Sequence, residues 1–143
     1  LTYIGEDGEK HRPVMLHRVI FGSIERFIGI ITEHFTGAFP AWLSPVQAKL
    51  LPITDAQHDF ARQVADKLKA KGIRVEIDES NEKIGYKIRK AQLEKVPYML
   101  VMGAKEAEAN AVAVRARKAG DIGQMPVEKF KNKIQEEIET KAI

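Results

Sequence analysis

Cysteine is absent from this chain, which excludes a disulfide and any cysteine-ligated metal and is compatible with a reducing compartment. Long apolar runs are also missing. None approaches the roughly 20 residues that span a bilayer, and no secretory leader pattern opens the sequence. A soluble, cytoplasmic protein without membrane partners is expected. No Gly-x-Gly-x-x-Gly and no phosphate-loop lysine motif follows the first strand, which weighs against a small nucleotide-binding α/β enzyme of flavodoxin-like architecture. Internal repeats and low-complexity tracts are lacking. The chain starts Leu1-Thr-Tyr-Ile4 rather than with a methionine, which suggests a piece of a longer protein.

What is present is ordinary globular material: 143 residues, 44% apolar and 30% charged. The net charge of +3 is unevenly spread. Residues 1–46 hold four Lys/Arg and five Asp/Glu, a balance of −1, and residues 47–143 hold nineteen and fifteen, a balance of +4. Within Lys83–Lys118 nine basic residues face three acidic ones, so +6 sits in one window. Clustered positive charge is the footprint of a polyanion binder, and a solvated lysine-rich surface has the same composition.

Gly5-Glu-Asp-Gly8 predicts a tight turn between short extended pieces. Pro13–Phe21, apolar and partly β-branched, predicts a buried strand broken by Gly22-Ser23. Ser23 is placed to cap a helix over Ile24–Phe35, whose apolar residues fall on one face, and Gly37 and Pro40 end it. Ala38–Val46 has two prolines and the tryptophan, predicting a packed loop and a domain boundary, with domains over 1–45 and 46–143. Beyond it, Ala48–Ile53, Ile73–Ile77, Tyr98–Met102 and Ala111–Arg117 predict strands. Asp55–Lys71, a segment capped by Ser80 or Asn81, and a segment starting near Pro126 predict helices. The alternation implies an α/β domain with a mostly parallel or mixed five-stranded sheet and helices on both faces.

Two constellations carry chemistry. Gly22-Ser-Ile-Glu-Arg26 opens a helix, where a small residue and a following arginine can hold phosphate or carboxylate; a capped surface helix with a solvated arginine would look the same. Asn81-Glu-Lys-Ile-Gly-Tyr-Lys-Ile-Arg89 marks a basic strand-to-helix corner, the kind of place where open α/β sheets bind ligands. Lys83, Lys87 and Arg89 are expected to hold phosphates, giving affinity without base choice.

His17-Arg-Val-Ile-Phe-Gly-Ser-Ile-Glu-Arg-Phe-Ile-Gly-Ile-Ile-Thr-Glu-His34 resembles the third signature motif of class II aminoacyl-tRNA synthetases, in the wording of the threonyl-tRNA synthetases. Ala41–Val46, Asn81–Gly85 and Val96–Val101 are similar to the C-terminal region of the same family, so the resemblance runs the length of the chain. It implies an ATP- and Mg-dependent ligase that charges tRNA with threonine, a homodimer through its catalytic domain, with the present piece a monomer. Residues 1–45 would close that catalytic domain, and 46–143 would bind the anticodon. Arg26 matches an arginine that contacts ATP, and Ser23 a position lining the adenylate pocket. His17 matches a ligand of a catalytic zinc whose other ligands lie upstream, so His17 is expected metal-free in this piece. With two class motifs absent, no aminoacylation is expected from the piece alone.

Asn81, Glu106 and Arg115 match residues that read anticodon bases. Arginine can bond guanine O6 and N7 together, a carboxylate can accept from guanine's N1–H and amino group, and asparagine offers a donor and an acceptor to a pyrimidine edge. Threonine codons begin AC, so the implied anticodon ends in GU. Helix cap, loop charge and edge-strand solubiliser are the structural roles open to the same three residues. Alanine at 104 and the less glycine-rich Arg115–Gly120 depart from the usual family form. A stand-alone tRNA-binding accessory protein is the other reading, and an ATP-contacting arginine would be superfluous there.

Overall fold

In a computed structural model the chain is described from Leu1 to Ile143 and forms two compact units, Leu1–Ile31 and Thr32–Ile143. The first holds an antiparallel hairpin of β1 (Tyr3–Ile4) and β2 (Lys10–His11). Its turn is closed by the Gly8 N–H donating to Gly5 O, with Gly8 at φ +76° where an L side chain would be strained. The expected strand over Pro13–Phe21 does not form. The segment is irregular and exposed, Val14 and Ile20 each at 87%. A strand exists only where a neighbour accepts its ladder bonds, and no strand of this chain pairs with it. Helix α1 (Ile24–His34) forms where its periodicity placed it, with Ser23 Oγ accepting from the Arg26 N–H at its start. At its end Thr36 and Gly37 turn left-handed, and the Gly37 N–H returns to Thr32 O at 2.8 Å.

The second unit is built on a five-stranded mixed sheet in the order β4-β3-β5-β6-β7. Strands β3 (Ala48–Pro52), β4 (Val75–Ile77) and β5 (Tyr98–Met102) are parallel, and β6 (Ala111–Ala116) and β7 (Gly120–Pro126) are added antiparallel. Helix α2 (His58–Lys69), preceded by a 3₁₀ turn at Asp55–Gln57, carries the chain from β3 to β4. Helix α3 (Ile84–Leu93) carries it back across β3 to β5. The two crossovers run in opposite directions along the sheet, so crossovers of one hand put α2 and α3 on opposite faces. A short α4 (Ala104–Glu108) follows β5, and α5 (Val127–Glu139) closes the unit.

Alternation sorts the side chains. Leu50, Leu100, Met102, Val112 and Val114 face α2 and α5, where Val64, Leu68, Phe130 and Ile134 complete the larger core. Leu51 and Met99 face α3, meeting Ala91, Ile84 and Ile88. Burying each large side chain contributes about 1.5–3 kcal/mol. Pro52 sits at the last position of β3, where its missing N–H costs no ladder bond in the interior.

Two features depart from expectation. Strand β7 carries no periodic apolar pattern and holds Gly120 and Gly123, both at positive φ, with Gly123 beside an irregularity between Val114 and Arg115. Its strand character comes from pairing with β6, not from its own residues. Neither Ser80 nor Asn81 caps α3; the capping position is Lys83, in extended conformation and without a side-chain cap bond.

Candidate nucleic-acid interface

At the carboxyl edge of the parallel strands, the loop between β4 and α3 leaves Asn81 and Lys83 exposed, and α3 leaves Arg89 and Lys90 exposed, giving a polar and cationic rim. Lys87 is not part of that rim, contrary to its expected phosphate role. It is 2% exposed, and its Nζ donates to Pro52 O and Asp78 O, each at 3.1 Å. Its place on α3 turns it inward beside Ile84, Ile88 and Ala91, and an ammonium so held cannot reach a phosphate.

Glu106 is half-buried in the first turn of α4, where its Oε2 accepts the Gly103 N–H at 3.0 Å. That bond fixes the carboxylate at the end of β5, beside the same sheet edge as Asn81, and leaves its second oxygen without a hydrogen bond. A Cβ at Gly103 would lie 2.9 Å from that Oε2 and 3.0 Å from Ile53 Cδ1, so a larger residue there would push both side-chain ends aside.

Arg115 stands on β6 opposite Met99, which in turn pairs with Lys49. It therefore projects on the α3 face, three residues of β5 back from Met102, about 10 Å at a strand's rise. The structure thus places Asn81 and Glu106 past the carboxyl ends of β4 and β5, strands that β3 separates, and Arg115 further back along the same sheet. A concavity beside it is lined by Gln92, Val96, Met99, Arg117 and Gly120. Asp121 Oδ2 lies 3.7 Å from Arg115 Nη1. That is an ion pair too long for a hydrogen bond, so it leaves the guanidinium donors free.

Asp78 is the polar group that sequence reasoning missed. It is 7% exposed; its Oδ1 accepts the Ser80 N–H at 3.1 Å and hydroxyl at 2.5 Å, and its Oδ2 is buried without a partner. Burial raises its carboxyl, but the two Ser80 bonds and the charges of Lys87 and Lys90 outweigh that and hold it below the ordinary aspartate value. Arg117 was also missed. Its guanidinium donates to Lys95 O, Ala38 O and Phe39 O, tying the loop before β3 to the end of α3. Neither has a sequence signal beyond its charge.

In the first unit Ser23 Oγ donates to Glu25 Oε2 at 2.7 Å, and Arg26 is exposed. His17 lies on the exposed irregular segment, and no three His, Cys, Asp or Glu residues come together anywhere in the chain. Structural and catalytic zinc sites need three or four protein donors. The residues of this chain do not build such a site.

An anticodon binding domain model matches residues 45–137, which include the whole five-stranded sheet, Asn81, Glu106 and Arg115. The chain belongs to the anticodon binding domain family. Its relatives narrow the comparison further. It is 67% identical over 141 residues to the threonine–tRNA ligase of Acetivibrio thermocellus, covering 99% of this chain and 22% of that enzyme. To the Clostridium tetani threonine–tRNA ligase it is 62% identical over 143 residues, all of this chain and 22% of that one. The crystal structure of the RNA binding domain of threonyl-tRNA synthetase from Cryptosporidium parvum Iowa II superimposes with a TM-score of 0.77 at 36% identity, covering 92% of this chain and 33% of that chain. This anticodon binding domain chain thus spans about a fifth of the length of the curated ligases it matches. No helix in it is long and apolar enough to cross a membrane.

Proposed function

We propose that this chain is the C-terminal, anticodon-reading part of a threonine–tRNA ligase. In that reading it binds the anticodon loop of threonine tRNA and recognises its final G and U. The supporting observation is that one matched segment, 45–137, carries Asn81 and Glu106 on the connections that follow β4 and β5 and Arg115 on β6 of the same sheet, within a chain similar end to end to threonine–tRNA ligases. Arg115 offers a paired donor edge for guanine, with the Asp121 carboxylate nearby. Glu106 keeps an acceptor beside the edge for guanine's N–H groups, and Asn81 presents donor and acceptor to uracil. Lys83 and Arg89 supply the phosphate hold.

In the same reading residues 1–45 close the catalytic domain and 46–143 form the anticodon domain. Arg26 contacts ATP in the whole enzyme, a cytoplasmic homodimer, and Ser23 lines its adenylate pocket. Charging threonine onto tRNA with ATP and Mg is that enzyme's work, and His17 would join a zinc site only with donors outside this chain.

The test is binding of a threonine-tRNA anticodon stem-loop against the same stem with an unrelated loop. Preference for the cognate loop, lost in Arg115→Ala, is expected; equal binding of the two loops would refute the reading.

A further inference from the structure

The sheet changes direction between β3 and β4, whose following connections leave toward opposite faces, and such a crevice is where open α/β sheets take a ligand. Here the chain fills it from within. Lys87 reaches in from α3 and donates to Pro52 O at the end of β3 and to Asp78 O just past the end of β4. An ammonium is buried only where its bonds are supplied, and these carbonyls belong to the two strand ends that flank the crevice.

The same bonds fix the loop that carries Asn81. Asp78 is held by its N–H donating to Leu50 O at 2.9 Å, and its carboxylate takes both Ser80 donors. At the far end Lys83 O accepts the N–H groups of Tyr86 and Lys87, at 2.8 and 3.2 Å. Residues 79–83 are therefore tied at the 78 end by the Lys87 side chain and at the 83 end by the first-turn backbone bonds of α3, which any residue at 87 would make; Asn81 stands between them.

We infer that Lys87, acting through Asp78 and Ser80, is a positioning residue that sets the 79–83 loop so that the Asn81 carboxamide meets an RNA base. The inference rests on the anticodon reading above. A lysine serving the fold alone would change stability and weaken every loop alike. One that aims Asn81 changes which base is preferred.

The experiment uses the full 143-residue chain and anticodon stem-loops ending in GU, GC or AU. Wild type is expected to favour GU about tenfold or more over each single change. In Lys87→Met, which keeps the side chain's length and removes its charge, the preference for U over C should fall at least about fivefold while that for G over A persists. The Asn81→Ala/Lys87→Met double variant should discriminate U no worse than Asn81→Ala alone, since both changes remove one interaction. Ser80 is exposed, so Ser80→Ala is a second probe that spares the core; it should cost about threefold in U-over-C preference. Unchanged U discrimination in Ser80→Ala and Lys87→Met, or additive effects in the double variant, would overturn the inference. A wild-type chain indifferent to both bases would instead overturn the anticodon reading, and the positioning role with it.

Discussion

Burial divides the cations that crowd this sequence into two kinds. Lys49 is 5% exposed and pairs with Glu94 just past α3 and Glu76 on β4; Lys87 binds two carbonyls. Lys83 and Arg89 reach solvent. Charge counting cannot separate these kinds, because a lysine's letter is the same whether its ammonium meets water or a strand end. Lys87→Met should therefore destabilise the chain by about 1–3 kcal/mol, seen as a lower urea midpoint at unchanged slope. Asp78 adds an acid dependence. Its folded pKa lies below the ordinary 3.8, so its contribution is complete above that value and is lost as pH falls through the lower, folded one. Asp78→Asn should flatten the fall of the urea midpoint below about pH 4.

Tyr98 acts at the other end of the pH scale. Burial first, and then its bond to Glu137 Oε2 at 2.6 Å, raise its phenol well above 10.0. With the folded value raised, its contribution is present below pH 10 and is lost as pH rises past it. Tyr98→Phe should cost about 1–2 kcal/mol at neutral pH and lessen the alkaline decline of thermal stability.

At the scale of elements, legibility followed self-sufficiency. The segments of α2, α3, α5 and β6 carry their own periodicity and those of β3 and β5 their own apolar runs, and each formed close to where its pattern put it. Pro13–Phe21 has the composition of a strand but no partner here to pair with. Strand β7 is the reverse case, with glycines at 120 and 123 and a ladder supplied by β6. The site divides in the same way. Asn81, Glu106 and Arg115 became candidates through motif resemblance alone, whereas the bonds of Arg117 and the inward turn of Lys87 depend on contacts 9 to 79 residues apart in sequence, and Asp78 is buried only by the packing around it. Gly123 at φ +88° gives a test of β7's design. Gly123→Ala should cost about 1–2 kcal/mol in thermal unfolding, because the backbone there is left-handed and no rearrangement of β6 relieves it.

For the whole molecule, the excess charge of +3 is too small to bind nucleic acid without being concentrated, and Lys83–Lys118 concentrates it. With Lys87 counted out, the rim cations set a modest electrostatic hold, and Lys83→Ala should lower the salt slope of stem-loop binding by about 0.7–0.9 without altering base preference. In the proposed reading affinity and choice are separable: the corner would grip, and Asn81, Glu106 and Arg115 would select. The most direct measurement is the affinity of the chain for anticodon stem-loops that differ only in the last two anticodon bases. The expected result is tightest binding to GU, with a loss of about 1–3 kcal/mol for either single replacement. Equal affinity for all of them would contradict base reading by this sheet.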